Sequence, residues 1–324
     1  MITEDWVSEE DKTLFSQEYI EPIKNKRVAC GVDILERMST YDKEHCWQYD
    51  MRLNNLEEDI RISGLTKEEI SNLRTKDFEH KAITDPKEKA LCNEFIKRHE
   101  WLGDISQYPT HFFGTYYKGI LAGVIIMNMP NAFSKLLGEE TKELERLISR
   151  GACISWSPKN LASNFLMFCI NWMVQNTRYR LFTAYSDPTA KELGTLYSAC
   201  NFYYLGQNSG CTKRYFNPYS GKLVSDRVFR ARSFYKKYAQ ELGIKWQRNW
   251  SNDRSILWEN IPTEVEEKLR AMSRKKQAEA KFVVFPSKHK WAMVLGQNNS
   301  ETKYLRKMFL LRNKTYPYPK ERGK

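Results

Sequence analysis

The sequence predicts an α/β protein in which helices flank a mixed central sheet, with a helical N-terminal extension and a basic C-terminal extension. Three observations support this. Helix and strand patterns alternate from about residue 86, and residues 1 to about 85 show a polar, helical pattern. The basic excess lies at the C-terminal end, where residues 268–324 carry 16 Lys and Arg against 3 Asp and Glu. We therefore expect domains at 1–85, 86–255 and 256–324.

Local signals predict the first elements of the chain. Thr66 and Glu69 form a capping-box pattern that begins a short helix. Asp85 and Pro86 begin the helix of "DPKEKALCNEFIKRHE". Two β-rich runs then flank residues 118–119, a Lys-Gly pair typical of a tight hairpin turn.

The later elements follow the same alternation. "KELERLISRGACISW" predicts a third strand, and Ser157 with Pro158 predicts the start of a long helix. After these, the patterns predict a strand in "YRLFTAYS", a short helix in "TAKELGTLYSACN", a strand in "FYYLGQ", a helix in "PTEVEEKLRAMSRKKQAEA", a strand in "KFVVF" and a helix near "SETKYLRKMFLL".

Composition excludes several classes of protein. With 324 residues, 41% of them hydrophobic, the chain can bury a substantial core. No segment approaches the roughly 18 apolar residues of a membrane span, and "MITEDWVSEEDKT" is acidic where a secretory signal is basic and then apolar. We expect no membrane partner and a cytoplasmic location, in the host cytoplasm if a phage encodes the chain. Seven scattered cysteines predict reduced thiols, and the sequence does not predict an oligomeric state.

The basic charge indicates a polyanionic partner, because cations that neutralise phosphates release condensed counterions. Aromatic residues alternate with cations between residues 213 and 254, and they either stack on unpaired bases or belong to the core. The candidate nucleic-acid-binding residues are Lys213, Arg214, Arg227, Arg230, Arg232, Lys236 and Lys237.

Two motifs carry a family resemblance. "ELERLISRG" places Leu144, Arg146 and Leu147 in a Leu-x-Arg-Leu pattern at a strand, and "YSDPTAKELGTLYSACNFYYLG" places Asp187 after a strand and Tyr197 in the following helix. From about Asp85 to Gly206 the chain resembles the GNAT acetyltransferase fold. Within that fold it is similar to the Mom family of phage DNA-modification proteins.

The resemblance implies acyl-group chemistry in a cleft where two central strands part. Tyr197 would then protonate the leaving group, or it is a core tyrosine. Asp187 would accept a proton from an amine or orient it, although an Asp-Pro pair is also a common helix start. Arg146 would contact substrate or phosphate, with Asp187 as a partner, or would form a structural ion pair.

The resemblance also implies acetyl-CoA as the donor. The loop that would hold its diphosphate contains no glycine here, so Ser157, Lys159, Asn160 and Ser163 would have to assist the amides of a helix N-terminus. Iron is implied by the family alone. The histidine spacing predicts no metal-ligand set.

These expectations define a function. The chain would add a carbamoylmethyl group to adenine N6 in DNA, protecting the DNA from restriction, after the base is flipped into the cleft. One alternative is a conventional acetyl-CoA N-acyltransferase that acts on a hypermodified thymine, a tRNA base or a protein amine. The other is a nucleic-acid-binding module without catalysis.

Overall fold

The computed structural model describes residues 46–103, 108–130, 132–209, 213–253 and 255–320. The chain divides into two compact units. The first runs to Ser209 and resumes at Lys288, and the second is Gly210–Ser287. Residues 1–45 of the expected N-terminal extension lie outside the described residues.

Capping signals begin the first helices. Helix α1 is Trp47–Ser63, and helix α2, Lys67–Asn72, begins with the predicted capping box, in which Thr66 and Glu69 each bond the other's backbone amide. Strand β1 is Glu79–Ile83, and helix α3 is Pro86–His99. The Asp85 carboxylate accepts the amides of Lys87 and Glu88, which confirms the predicted start of α3.

The predicted hairpin is present. Strands β2, Pro109–Tyr117, and β3, Ile120–Asn128, pair antiparallel around Lys118 and Gly119, whose φ angles of 47° and 81° are both left-handed. This backbone matches the twist of a two-residue hairpin loop. Strand β4, Glu145–Cys153, follows as expected.

The long helix begins later than the sequence predicts. Helix α4 is Leu161–Asn176, and the residue before it is Asn160 in a left-handed conformation, not Ser157. The Arg52 guanidinium accounts for the difference, because it donates to the Ser157 carbonyl and hydroxyl, both at 3.1 Å, and holds that residue outside the helix.

The remaining elements complete both units. In chain order they are β5 Leu181–Ser186, α5 Thr195–Ala199, β6 Tyr203–Ser209, β7 Lys213–Phe216, β8 Leu223–Val224, α6 Arg232–Glu241, α7 Thr263–Glu279, β9 Phe282–Val284, β10 Lys288–Val294 and α8 Asn299–Arg312.

Sheet pairing places the domain boundaries differently from the sequence prediction. The first unit contains a seven-stranded mixed sheet in the order β1-β2-β3-β4-β5-β10-β6. Strand β10 lies between β5 and β6, so residues 288–320 belong to the central domain and not to a C-terminal extension. Strand β1 likewise adds residues 79–83 to the sheet. The pairings therefore group the described residues differently from the expected boundaries at 85 and 256, because local patterns contain no information about them.

Helices cover both faces of the large sheet. Helices α1 and α3 pack on one face against a core that includes Phe95, Val124 and Ala152. On the opposite face, α4 covers a core that includes Phe165 and Phe182. Helix α8 packs through Leu305 and Phe309 on Leu181, Ala292 and Val294. The fold is therefore the predicted α/β class with a mixed sheet flanked by helices.

The second unit has its own core. Strands β8, β7 and β9 form a small antiparallel sheet, and Phe229, Phe234, Tyr235, Tyr238 and Leu269 form a buried cluster. These aromatic residues belong to the core, so the stacking interpretation of them is wrong. Within the described ranges, no helix is long and apolar enough to cross a membrane.

Candidate active site

The site lies where β4 and β5 separate. The two strands pair in parallel from Glu145 opposite Leu181 to Leu147 opposite Thr183, and the pairing stops there. A bulge in β4 accompanies the separation: Met127 of β3 pairs with Ile148 and Ile126 pairs with Arg150, so Ser149 is the extra residue. A bulge bends its strand and increases the local twist, which favours the opening.

A cavity of about 260 Å³ occupies this gap. It is lined by Cys46, Gln48, Glu100, Trp101, Leu102, Ile125, Ile148, Ser149, Arg150, Gly151, Leu166, Tyr185, Ser186, Asp187, Lys191, Glu192, Leu193, Gly194, Thr195, Leu196, Tyr197 and Lys288. Pockets for drug-sized ligands measure about 300–1,000 Å³, so this cavity suits a small group or a single base.

Glu192 is a partly buried acid that lines the cavity. One carboxylate oxygen accepts the Trp101 indole N–H at 2.9 Å, and the other accepts the Asp187 amide at 2.9 Å. Burial raises the pKa of Glu192 above its ordinary value, and the neighbouring Asp187 charge raises it further against these two bonds. A carboxylate with a raised pKa is a stronger base than an ordinary glutamate, which suits it to proton transfer.

Asp187 has two structural partners. Its Oδ1 accepts the Thr189 amide at 2.9 Å, and its Oδ2 lies 3.0 Å from Lys288 Nζ. Asp187 therefore caps the start of a helical turn, as one interpretation of the sequence expected. Its side chain also lines the cavity. The Lys288 contact joins the end of β5 to the beginning of β10.

Tyr197 faces the same cavity from α5. Its ring packs on Phe202 and Trp291 at centroid distances of 5.3 Å and 5.9 Å, and within the described part of the chain its hydroxyl makes no hydrogen bond. Burial and the nearby Glu192 and Glu100 charges raise the pKa of Tyr197. The phenol is thus protonated at neutral pH and offers an O–H to a ligand.

Arg150 is the guanidinium at this cavity. Its Nε lies 3.3 Å from Glu100 Oε2 at the end of α3. The Ser149 bulge explains the orientation of the Arg150 side chain. Ile148 belongs to the core under α4. Arg150, two residues later, pairs opposite Ile126, whose side chain faces α3. Without a bulge, residues two apart on a strand would share a face.

Arg146 lies elsewhere, which corrects its expected pairing with Asp187. It does not line the cavity. The guanidinium stacks on the Tyr179 ring at 3.5 Å, donates to the Tyr179 hydroxyl, and bonds the Glu145 carbonyl at 2.7 Å. The Arg146 charge also acts on His111. Burial lowers the pKa of His111, and the Arg146 charge lowers it further.

The four residues predicted to hold acetyl-CoA do not line the cavity. The Ser157 hydroxyl accepts from Arg52 at 3.1 Å, the Ser163 hydroxyl donates to the Asn160 carbonyl at 3.0 Å, and the Lys159 and Asn160 side chains are exposed. Two hydroxyls of this loop therefore have protein partners, and the loop lies outside the lining of the cavity. In the described ranges, no group of three or more His, Cys, Asp or Glu residues is placed to hold a metal ion.

The predicted nucleic-acid-binding residues all lie in the second unit. Lys213, Arg227, Arg230, Lys236 and Lys237 are exposed, and Arg214 and Arg232 are partly buried. Arg230 pairs with Asp226, Arg232 donates to the Asn252 carbonyl, and Lys237 lies 4.2 Å from the centre of the Tyr219 ring. These contacts leave a cationic surface around an aromatic core.

Sequence reasoning identified two of the charged or hydroxyl-bearing residues of the cavity and missed others. It missed Glu192, Glu100, Arg150 and Lys288. Glu192 lies five residues after Asp187, but nothing in its local pattern indicates burial. Lys288 reaches the cavity because β10 pairs with β5, and it was missed because the second unit lies between these strands along the chain.

Gly194 positions Tyr197, and its replacement is expected to destabilise the first unit. Its φ is +71°, and a Cβ there would overlap the Trp291 ring. Gly194→Ala should lower the free energy of unfolding by at least about 2 kcal/mol, from backbone strain and overpacking together. Chemical denaturation measures this. Gly64→Ala is the matched control, because its φ is +66° and no atom lies within 4 Å of the added Cβ. Equal losses in both variants would show that the Trp291 contact contributes nothing.

Several solved structures are similar to parts of the chain. A probable acetyltransferase from Staphylococcus epidermidis ATCC 12228 shows 9% identity over 43% of this chain and 88% of its own, with a TM-score of 0.30. A ribosomal-protein-S5-alanine acetyltransferase from Vibrio fischeri shows 11% identity over 47% and 90%, with a TM-score of 0.32. A GNAT family acetyltransferase from Elizabethkingia anophelis with acetyl-CoA bound shows 12% identity over 68% and 99%, with a TM-score of 0.30. Similarity at this level is no evidence of a shared activity.

The sequence comparison with families is more decisive. No curated protein sequence matches the chain. The model of the Mom protein family matches residues 82–318, which include the whole described sheet except the first three residues of β1, the cavity from Glu100 onward, and all of the second unit. The resemblance carried by Arg146, Asp187 and Tyr197 therefore extends over most of the chain. The chain belongs to the Mom protein family of phage DNA-modification proteins.

Proposed function

We propose that the chain modifies a base in DNA by transferring a small carbon group to an exocyclic amine in the cavity between β4 and β5. The observation that carries the proposal is that Glu192, a partly buried acid with a raised pKa, and the protonated phenol of Tyr197 line one cavity. Membership of the Mom family supports DNA as the substrate.

The two side chains supply complementary proton transfers. The amine nitrogen forms a bond to the donor carbon while the bond from that carbon to the leaving atom breaks. Glu192 takes the amine proton, and the Tyr197 hydroxyl gives its proton to the leaving atom. No step is assigned to acetyl-CoA, because the four residues expected to hold it do not line the cavity.

The surrounding ion pairs hold the geometry. Lys288 with Asp187 fixes the end of β5 beside β10, and Arg150 with Glu100 fixes the bulged part of β4 beside α3. A base paired within a duplex cannot reach a cavity of this size, so the target base must be flipped out of the stack. Exposed cations of the second unit, among them Lys213, Arg227 and Lys236, would bind the DNA phosphates.

The specific product we propose is a carbamoylmethyl group on adenine N6, which would alter the DNA surface read by restriction enzymes. Mass analysis of nucleosides from cells that express the chain tests this directly. We expect deoxyadenosine to gain the mass of one carbamoylmethyl group, and Tyr197→Phe or Asp187→Asn to reduce that gain while DNA binding is retained. A mass gain on another nucleoside would overturn the assignment to adenine. The absence of a mass gain on every base would overturn the proposed enzymatic activity.

A further inference from the structure

A second pocket, of about 350 Å³, has no role in the proposed chemistry. It is lined by three cations, Lys290, Arg312 and Lys314. The other lining residues are Leu136, Leu205, Asn313 and Tyr316. All of these residues belong to the first unit.

The cations of this pocket have no acidic partner. Within the described residues, no carboxylate lies at ion-pair distance from Lys290, Arg312 or Lys314, and the contact of Lys314 is with the Tyr316 ring at 5.1 Å. Burial lowers the pKa of Lys290, which Glu145 only partly opposes. Like charges gathered with no carboxylate at ion-pair distance repel one another, so a bound anion would stabilise the arrangement.

Backbone contacts hold the pocket in place. Asn313 Nδ2 donates to the Leu136 carbonyl at 2.7 Å, and the Tyr316 amide donates to the Tyr204 carbonyl of β6 at 2.9 Å. Gly206 of β6 has φ +93°, and a Cβ there would lie 3.3 Å from the Tyr316 ring, so glycine permits this close approach. The segment after α8 is thereby fixed along β6.

The pocket is adjacent to the cavity along β10. Lys288 and Lys290 are two residues apart in β10, so their side chains lie on the same face of the strand. Their Cα atoms are about 6.6 Å apart. Lys288 contacts Asp187, and Lys290 pairs opposite Tyr185, a cavity residue whose side chain is 37% exposed. A ligand that contacts Lys290 in the second pocket is therefore two residues along β10 from Lys288 at the cavity.

We propose that this pocket binds a backbone phosphate of the DNA strand next to the base held in the cavity. Arg312 and Lys314 contact the phosphate from the C-terminal side and Lys290 from the sheet, and the exposed Tyr316 ring offers a stacking surface to the neighbouring base. The identity of the bound strand rests on the proposed function.

The test compares two double variants of the full chain. Arg312→Gln/Lys314→Gln removes two pocket cations, and Lys303→Gln/Lys307→Gln removes two exposed cations of α8 that do not line the pocket. Fluorescence anisotropy measures binding to a labelled single-stranded oligonucleotide of about 12 nucleotides, within the site sizes known for single strands. Competition with a nucleoside 3′,5′-diphosphate forms a second arm.

We expect the pocket variant to bind the oligonucleotide about tenfold more weakly and to lose about 0.7 from its salt-dependence slope, the value for one phosphate contact on a single strand. The control should change much less. Equal changes in both variants would indicate that the overall positive charge, and not this pocket, attracts the oligonucleotide, and would overturn the proposal. Unchanged oligonucleotide binding with weakened diphosphate competition would assign the pocket to a small phosphorylated ligand and also overturn it. Binding is measured without base modification, so this proposal and the proposed activity can fail separately.

Discussion

Glu192→Gln should reduce base modification by about 100-fold to 10,000-fold, the range over which a positioned general base contributes. The amide cannot accept the amine proton, while its size preserves the packing of the cavity. Single-turnover rates on oligonucleotide DNA, quantified by nucleoside mass analysis, measure the loss. Glu143→Gln is the matched control, because Glu143 is exposed, pairs with Arg178 and does not line the cavity.

The pH dependence separates a base from a positioning residue. Glu192 works as a base only when deprotonated, and its folded pKa is raised above the ordinary value of 4.5. The rate should therefore fall as the pH drops through that raised pKa, and the residual rate of Glu192→Gln should lack this fall. An identical acid limb in the variant and in the natural chain would assign the proton transfer to another group.

Asp59→Ala should lower the free energy of unfolding of the first unit by about 3–5 kcal/mol, the usual cost of removing one partner from a buried ion pair. Asp59 Oδ1 lies 2.7 Å from Arg98 Nη2, and both side chains are almost completely buried. The other carboxylate oxygen accepts the Ser155 amide at 3.3 Å and the Ser155 hydroxyl. This network ties α1 and α3 to the end of β4, next to the cavity.

Glu58→Ala provides the comparison on the same helix. Glu58 lies 3.9 Å from Arg98 Nη1, but its side chain is 38% exposed. Pairs with one exposed member contribute about 0–1 kcal/mol, so this variant should unfold almost as the natural chain does. Chemical denaturation measures both variants. Equal free energies of unfolding for the two would show that burial of the Asp59 pair adds no stability.

Local signals in the sequence predicted most of the individual elements. The capping box at Thr66, the Asp85-Pro86 helix start and the Lys118-Gly119 turn are all present, because each depends on residues within a few positions of one another. The helix after β4 was placed too early, since the residue that holds Ser157 out of it, Arg52, comes from a helix about a hundred positions earlier.

The site was predicted only in part for the same reason. Asp187 and Tyr197 line the cavity as expected, because both belong to one strand-to-helix segment. Arg150 replaces Arg146 as the guanidinium at the cavity because a bulge at Ser149 changes which face of the sheet the later part of β4 presents. A bulge is decided by pairing with β3, and the residues of β4 alone do not reveal it.

By itself the sequence determined the α/β class, the order of the elements from α3 to β6, the family, and the positions of Asp187 and Tyr197, since all of these are expressed in short-range patterns. The strands β1, β7, β8 and β10 and the helix α6 were not predicted. The tertiary structure alone decided that β10 enters the sheet between β5 and β6, that Lys288 reaches Asp187, and that the Trp101 indole bonds Glu192 at the cavity. These features arise from contacts between segments far apart in the chain, where the free energy of packing and pairing selects an arrangement that no local pattern specifies.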